Sequence, residues 1–243
     1  AQILLPGQTT VKQRTLLIYL IQPIILLLKA LIYVCNYITL GWSTVQGDTV
    51  AITDFGKMPA KTDLAYYPVL ERVKVTLALK EGTTAEVFET NTTDPEITYG
   101  LIRGLDVQLT KTDLEETYLG VTGDGTLRIT PSWNRFNICG TGTMIEVYDN
   151  VDDKVVEIYF IVVYGDLNGD SGISAADIPV MNLEMLGNTG WSDATNEEYN
   201  KALTYAADLK KDGSINGIDA TMLRDVTLSV AYIDQATGVV SYY

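Results

Sequence analysis

The sequence predicts an α+β chain in three parts: a long apolar amino-terminal helix, a β-rich body of sandwich or β-grasp type, and an all-α carboxy-terminal module. Three observations predict it. Residues 16–40 form an apolar run with a single charge, Lys29. Residues 44–164 hold short β-branched and aromatic segments separated by glycine turns. Two acidic twelve-residue segments, DLNGDSGISAAD from residue 166 and DLKKDGSINGID from residue 208, repeat one pattern. The implied divisions are 1–43, 44–164 and 165–243.

The apolar run is long enough to cross a bilayer as a helix. Lys12 and Arg14 flank its start, which would leave the amino end in the cytoplasm and the remainder outside. Lys29 near the middle costs about 2.5–3.5 kcal/mol at a bilayer centre, and Pro23 would kink the helix. A signal anchor, a cleaved signal peptide, a helix in a homopolymer core and a buried helix of an ordinary domain all compete for this segment. The length of the run and the lack of a small-residue cleavage site after it disfavour cleavage. The start RTLLI (14–18), followed by the early Pro23, resembles the helix of type IV pilin-like subunits, which implies a filament with these helices bundled in its core. Trp42, just beyond the run, fits a membrane interface or the base of a globular head.

In the body, strands are expected at 49–53, 73–79, 105–109, 126–130, 144–148 and 155–163, with turns at 123–125 (GDG) and 140–142 (GTG). The last of these, β-branched and aromatic throughout, leads directly into the first acidic segment.

Those acidic segments read as calcium loops. A loop of twelve residues wraps a hard cation through oxygens at positions 1, 3, 5, 7, 9 and 12, position 7 using its carbonyl. The first supplies Asp166, Asn168, Asp170, the Gly172 carbonyl, Ser174 and Asp177. The second supplies Asp208, Asp212, the Ser214 carbonyl, Asn216 and Asp219, with Lys210 at position 3 in place of an oxygen ligand. Its site is therefore weaker, empty or completed by water. Ser171 takes position 6, where a sharp turn favours Gly. Ile173 and Ile215, both at position 8, are expected to pair through a short backbone bridge. Helices follow over 175–186 and 218–228, with Ile178, Met181 and Met185, and Ile218, Met222 and Val226, at core spacing.

Two such loops in register, both closing on Asp, make residues 165–230 resemble the dockerin module. That resemblance implies calcium as cofactor, a cohesin-like protein as partner and a place outside the cell, at its surface. In dockerins, positions 10 and 11 often touch the cohesin; here they are Ala175–Ala176 and Gly217–Ile218, so partner specificity does not carry over. The run GTTAEVF (82–88), then GTGTM (140–144) and a strand leading straight into Gly165, is similar to the small β-rich module that often precedes dockerins. Bracing the calcium module is the role this implies. Calcium loops can also serve only to staple a terminal domain, since a ligand bound solely by the folded state adds about 2.7 kcal/mol at a hundredfold excess over Kd.

Composition excludes several functions. With 243 residues, 47 % of them apolar, a sizeable core is possible. The net charge is −14, with +2 on residues 1–58 and −16 on the rest, which argues against nucleic acid. The chain has no histidine, so Ser-His-Asp and Cys-His catalysis and His-ligated zinc are excluded. Paired-carboxylate chemistry needs only acids, but these are loop ligands or scattered on polar faces, and no phosphate-cradling or dinucleotide motif occurs. Cys35 lies in the apolar run and Cys139 in the body, and Cys35 reads as a small buried hydrophobe. Two non-enzymatic readings remain: a surface protein that docks on a cohesin-like partner, and a filament subunit whose partners are copies of itself.

Overall fold

A computed structural model describes residues 37–43, 46–47, 49, 51, 53, 67–133, 136–187 and 196–243. The chain divides into two units, Ala1–Lys74 and Val75–Tyr243. In the first, β1 (Tyr37–Ser43) pairs antiparallel with β2 (Tyr67–Arg72), the register shifting between Thr39 and Gly41.

This pair corrects the expected amino-terminal helix. Residues 16–36 lie outside the described residues. Residues 37–40, the predicted last turn, are strand instead, because Tyr37, Ile38 and Thr39 favour extended backbone and Gly41 supplies the bulge. Among the described residues, no helix is long and apolar enough to cross a membrane. The described fold therefore contains no long apolar amino-terminal helix.

The second unit is built on a five-stranded mixed sheet in the order β4-β5-β9-β8-β7. Its strands are β4 (Glu86–Asn91), β5 (Thr98–Arg103), β7 (Gly125–Thr130), β8 (Met144–Asp149) and β9 (Lys154–Ile161). All pairings are antiparallel except β5 with β9. A separate pair joins β3 (Leu77–Leu79) to β6 (Leu119–Val121), between which α1 (Lys111–Asp113) continues as a π-helical turn, Leu114–Tyr118.

Central strands covered on both faces read as continuous apolar runs rather than alternating ones, and β9 does so for this reason. Phe160 and Val162 face a cluster that includes Met181, Leu203 and Leu223. Ile161 and Val163 face the opposite cluster, with Leu114, Leu119 and Ile145. In β5, the neighbours Leu101 and Ile102 divide between the same two clusters, both fully buried. Each such side chain contributes about 1.5–3 kcal/mol of burial.

The helices of the first cluster are α2 (Asp177–Met185), α3 (Glu197–Ala207) and α4 (Gly217–Thr227). The carboxy-terminal part is not all-α as expected. After α4 the chain forms an antiparallel hairpin, β10 (Ala231–Ile233) with β11 (Val240–Tyr242), whose Ile233 joins the same core. The body is β-rich as expected, a five-stranded mixed sheet with one parallel pair and a separate β3–β6 pair that shares its second core cluster.

The expected strands at 126–130, 144–148 and 155–163 lie largely within β7, β8 and β9. Of 73–79 only Leu77–Leu79 is strand, and residues 105–109 form a turn around Gln108 at φ 62. Residues 49, 51 and 53, the described part of the first expected strand, are not in a strand. Strands β4 and β5 were not anticipated. Polar residues interrupt β4, and Gly100 interrupts β5 where a Cβ would come within 2.7 Å of the Tyr159 ring.

Candidate metal centre

From the end of β9 the chain continues through residues 162–165 into loop one (166–177), and α3 ends at loop two (208–219). The two loops share a backbone signature. Positions 4 and 6 are left-handed in both, at Gly169 (φ 76) and Ser171 (φ 62), and at Lys211 (φ 60) and Gly213 (φ 80). The turn that usually selects glycine is thus made by serine and lysine in half of these places.

The carboxylates organise the loops alike. Asp166 accepts from the N–H groups of Gly169 (2.9 Å) and Ser171 (3.0 Å), and Asp208 from those of Asp212 (3.2 Å) and Gly213 (2.8 Å). At position 12, Asp177 accepts from Leu167 (2.9 Å), Asn168 (3.1 Å) and Ser174 (2.8 Å), and Asp219 from Lys210 and Asn216, both at 2.9 Å. Position 5 accepts from position 7, Asp170 from Gly172 at 2.8 Å and Asp212 from Ser214 at 3.1 Å. Position 9 of loop two also caps α4: Asn216 accepts from the Ile218 N–H at 2.9 Å.

Their surroundings differ. Loop one lies beneath the body. Thr141 N–H donates to Asp166 Oδ2 at 2.9 Å, and Ser132 Oγ donates to the Gly169 carbonyl at 2.7 Å. Gln108 N–H reaches both the Ser171 carbonyl (3.0 Å) and its Oγ (2.8 Å). Gly140 must be glycine here, since a Cβ would stand 2.2 Å from Asp166 Oδ2. Loop two is open, with residues 210–214 exposed, and Lys210 Nζ lies 2.7 Å from Asp212 Oδ2.

Burial sets the electrostatics of loop one. Asp166 and Asp177 are both fully buried. Burial pushes the Asp166 carboxyl up to about 7; the nearby Asp177 and Asp170 act in the same direction, against hydrogen bonds from Thr141 and Ser171. Asp177 is raised chiefly by burial as well. Two buried acids without a compensating charge are costly, and a divalent cation removes that cost. The donor set fits calcium, a hard ion that takes oxygen only: three carboxylates, the Asn168 amide, the Gly172 carbonyl and the Ser174 hydroxyl. Among the described residues no three acidic or cysteine side chains are gathered closely enough to hold a metal by themselves.

The six loop-one and five loop-two residues thus lie on two loops of like backbone, in neither of which the acids are gathered into a metal-holding cluster. Ile173 and Ile215 pack against the same core, but among the described residues no backbone bridge joins them. Met181 is core as expected, while Met185 and Ile218 are exposed. Sequence reading missed Ser132, Gly140, Thr141 and Gln108. The only signal was the GTG at 140–142, which reads as a turn and says nothing of what crosses over it. Cys139 is a free, buried thiol pushed up to about 11 by burial, and so is inert.

Paired twelve-residue loops rich in oxygen donors, each followed by a short helix, define a candidate calcium-binding module. Residues 164–225 match the family model of the dockerin type I domain. Neither a curated protein nor a solved structure matches the chain.

Proposed function

We propose that this chain is an extracellular, non-catalytic attachment protein whose dockerin domain, held in shape by calcium in loop one, binds a cohesin-type partner at the cell surface. The observation that carries the reading is the paired-loop geometry falling within the residues matched by the dockerin family. Asp166, Asn168, Asp170, the Gly172 carbonyl, Ser174 and Asp177 would hold the ion. When bound, calcium would neutralise the buried acids Asp166 and Asp177, and the chain's own residues position them. Gly169 and Ser171 N–H groups orient Asp166, Leu167 and Asn168 N–H groups orient Asp177, and the body closes the far side through Thr141 and Ser132.

The exposed apolar residues of the helices supply a contact face. Leu183 and Leu186 are 47 % and 71 % exposed at the end of α2, and Ile218 is 48 % exposed at the start of α4. Ala175, Ala176 and Gly217, at the positions dockerins often use for contact, are exposed as well. The two helices pack together, so both can present residues to one partner.

Immobilised full chain offered a panel of type I cohesin modules tests this reading. Capture in millimolar calcium that is lost in chelator is the expected result. A folded, calcium-loaded chain that captures none of them contradicts it.

A further inference from the structure

Loop two keeps the backbone of a calcium loop without its donor set. Position 3 offers no oxygen, and positions 5, 7 and 9 hold partners within the loop itself. Position 3 is Lys210, whose ammonium has three N–H donors and no oxygen to offer. That ammonium lies 2.7 Å from Asp212 Oδ2, so the position-5 carboxylate is already paired. The position-7 carbonyl, on Ser214, accepts from Asn216 Nδ2 at 3.1 Å, and Asn216 Oδ1, at position 9, caps α4 through the Ile218 N–H. Loop one differs where it counts. Its position 3 is Asn168, whose Nδ2 donates to Asp170 Oδ2 at 3.0 Å and whose Oδ1 accepts from the Asp170 N–H at 2.8 Å, so an oxygen donor stands at this position. An ammonium offers none.

The shape of loop two does not wait for an ion either. Asp208 and Asp219 each take two backbone N–H groups, and the Asn216–Asp219 capping box starts α4. Burial is less complete here: Asp219 is buried like Asp177, but Asp208 is only half-buried where Asp166 is fully so, and the Lys210 and Asp212 side chains are 45 % and 33 % exposed.

We infer that loop two takes no calcium and that the Lys210 ammonium occupies the ion's place, so that the domain is a one-ion module. This rests on the calcium reading of loop one, and the test separates the two. High-affinity calcium bound to the full chain is counted by native mass spectrometry and titration calorimetry for the wild type, Lys210→Asn and Asp166→Ala. Lys210 is exposed and its replacement restores an oxygen donor, so Lys210→Asn folds and binds one ion more than the wild type. A wild type that binds an ion at loop two, or a Lys210→Asn chain that binds no more than the wild type, overturns the inference. Failure of the loop-one reading shows separately, as an Asp166→Ala chain that binds as many ions as the wild type.

Discussion

Asp166 shows at a single residue how the module can depend on calcium. In the metal-free chain its folded value, about 7, lies above the ordinary 3.8. Its contribution to stability is therefore complete below the ordinary value and lost as pH rises through about 7. Metal binding needs the ionised form. In chelator the melting temperature should fall from about pH 5 to about pH 8, and saturating calcium should raise it more at the upper end. Equal calcium-induced rises at both ends would contradict this assignment. Asp166→Ala should abolish the calcium-induced rise, worth about 2.7 kcal/mol at a hundredfold excess over Kd, while still melting cooperatively in chelator. Gly140→Ala drives a methyl group against the Asp166 carboxylate and should cost about 1–3 kcal/mol together with calcium affinity, read by calorimetry. The repeated loops were legible because their spacing is local. The roof was not, because Ser132, Gly140 and Thr141 reach the loop only through the tertiary fold, and small polar residues in a turn carry no distinguishing pattern.

At the scale of elements, the hairpin β10–β11 ties the end of the chain to the start of loop one. Gln235 donates through Nε2 to the Tyr164 carbonyl (3.0 Å) and accepts from the Tyr164 N–H (2.8 Å), while its own carbonyl takes the Gly104 N–H (3.1 Å). Ile233 fills the core between them. Ile233→Ala should cost about 2–5 kcal/mol by chemical denaturation, a loss that a frayed tail would not show. The hairpin escaped the sequence reading because its strands have three residues each, too few for an alternation to register. Strand β9 was legible through its β-branched composition, though not its central place in the sheet. The amino-terminal run misled because apolar content alone does not separate helix from strand, and at residues 37–40 β-branched and aromatic residues favour strand.

For the second unit as a whole, the calcium module and the sheet share one core. Leu101 from β5 and Phe160 from β9 pack with Met181, Leu203 and Leu223 from the three helices. A body that shares its core in this way braces the module through burial as well as through the loop-one roof. Leu101→Ala should therefore lower hydrogen-exchange protection in α2 and α4 along with β5; loss confined to the sheet would mean that the two parts unfold independently. The repeated loops revealed the module, but nothing in their sequence announced that its helices would complete the core of the sheet before them. The most direct measurement is anomalous scattering from crystals of the full chain grown in millimolar calcium. The account predicts a calcium peak enclosed by Asp166, Asn168, Asp170, Gly172, Ser174 and Asp177. Ordinary water at that position, with calcium present in the crystal, would contradict it.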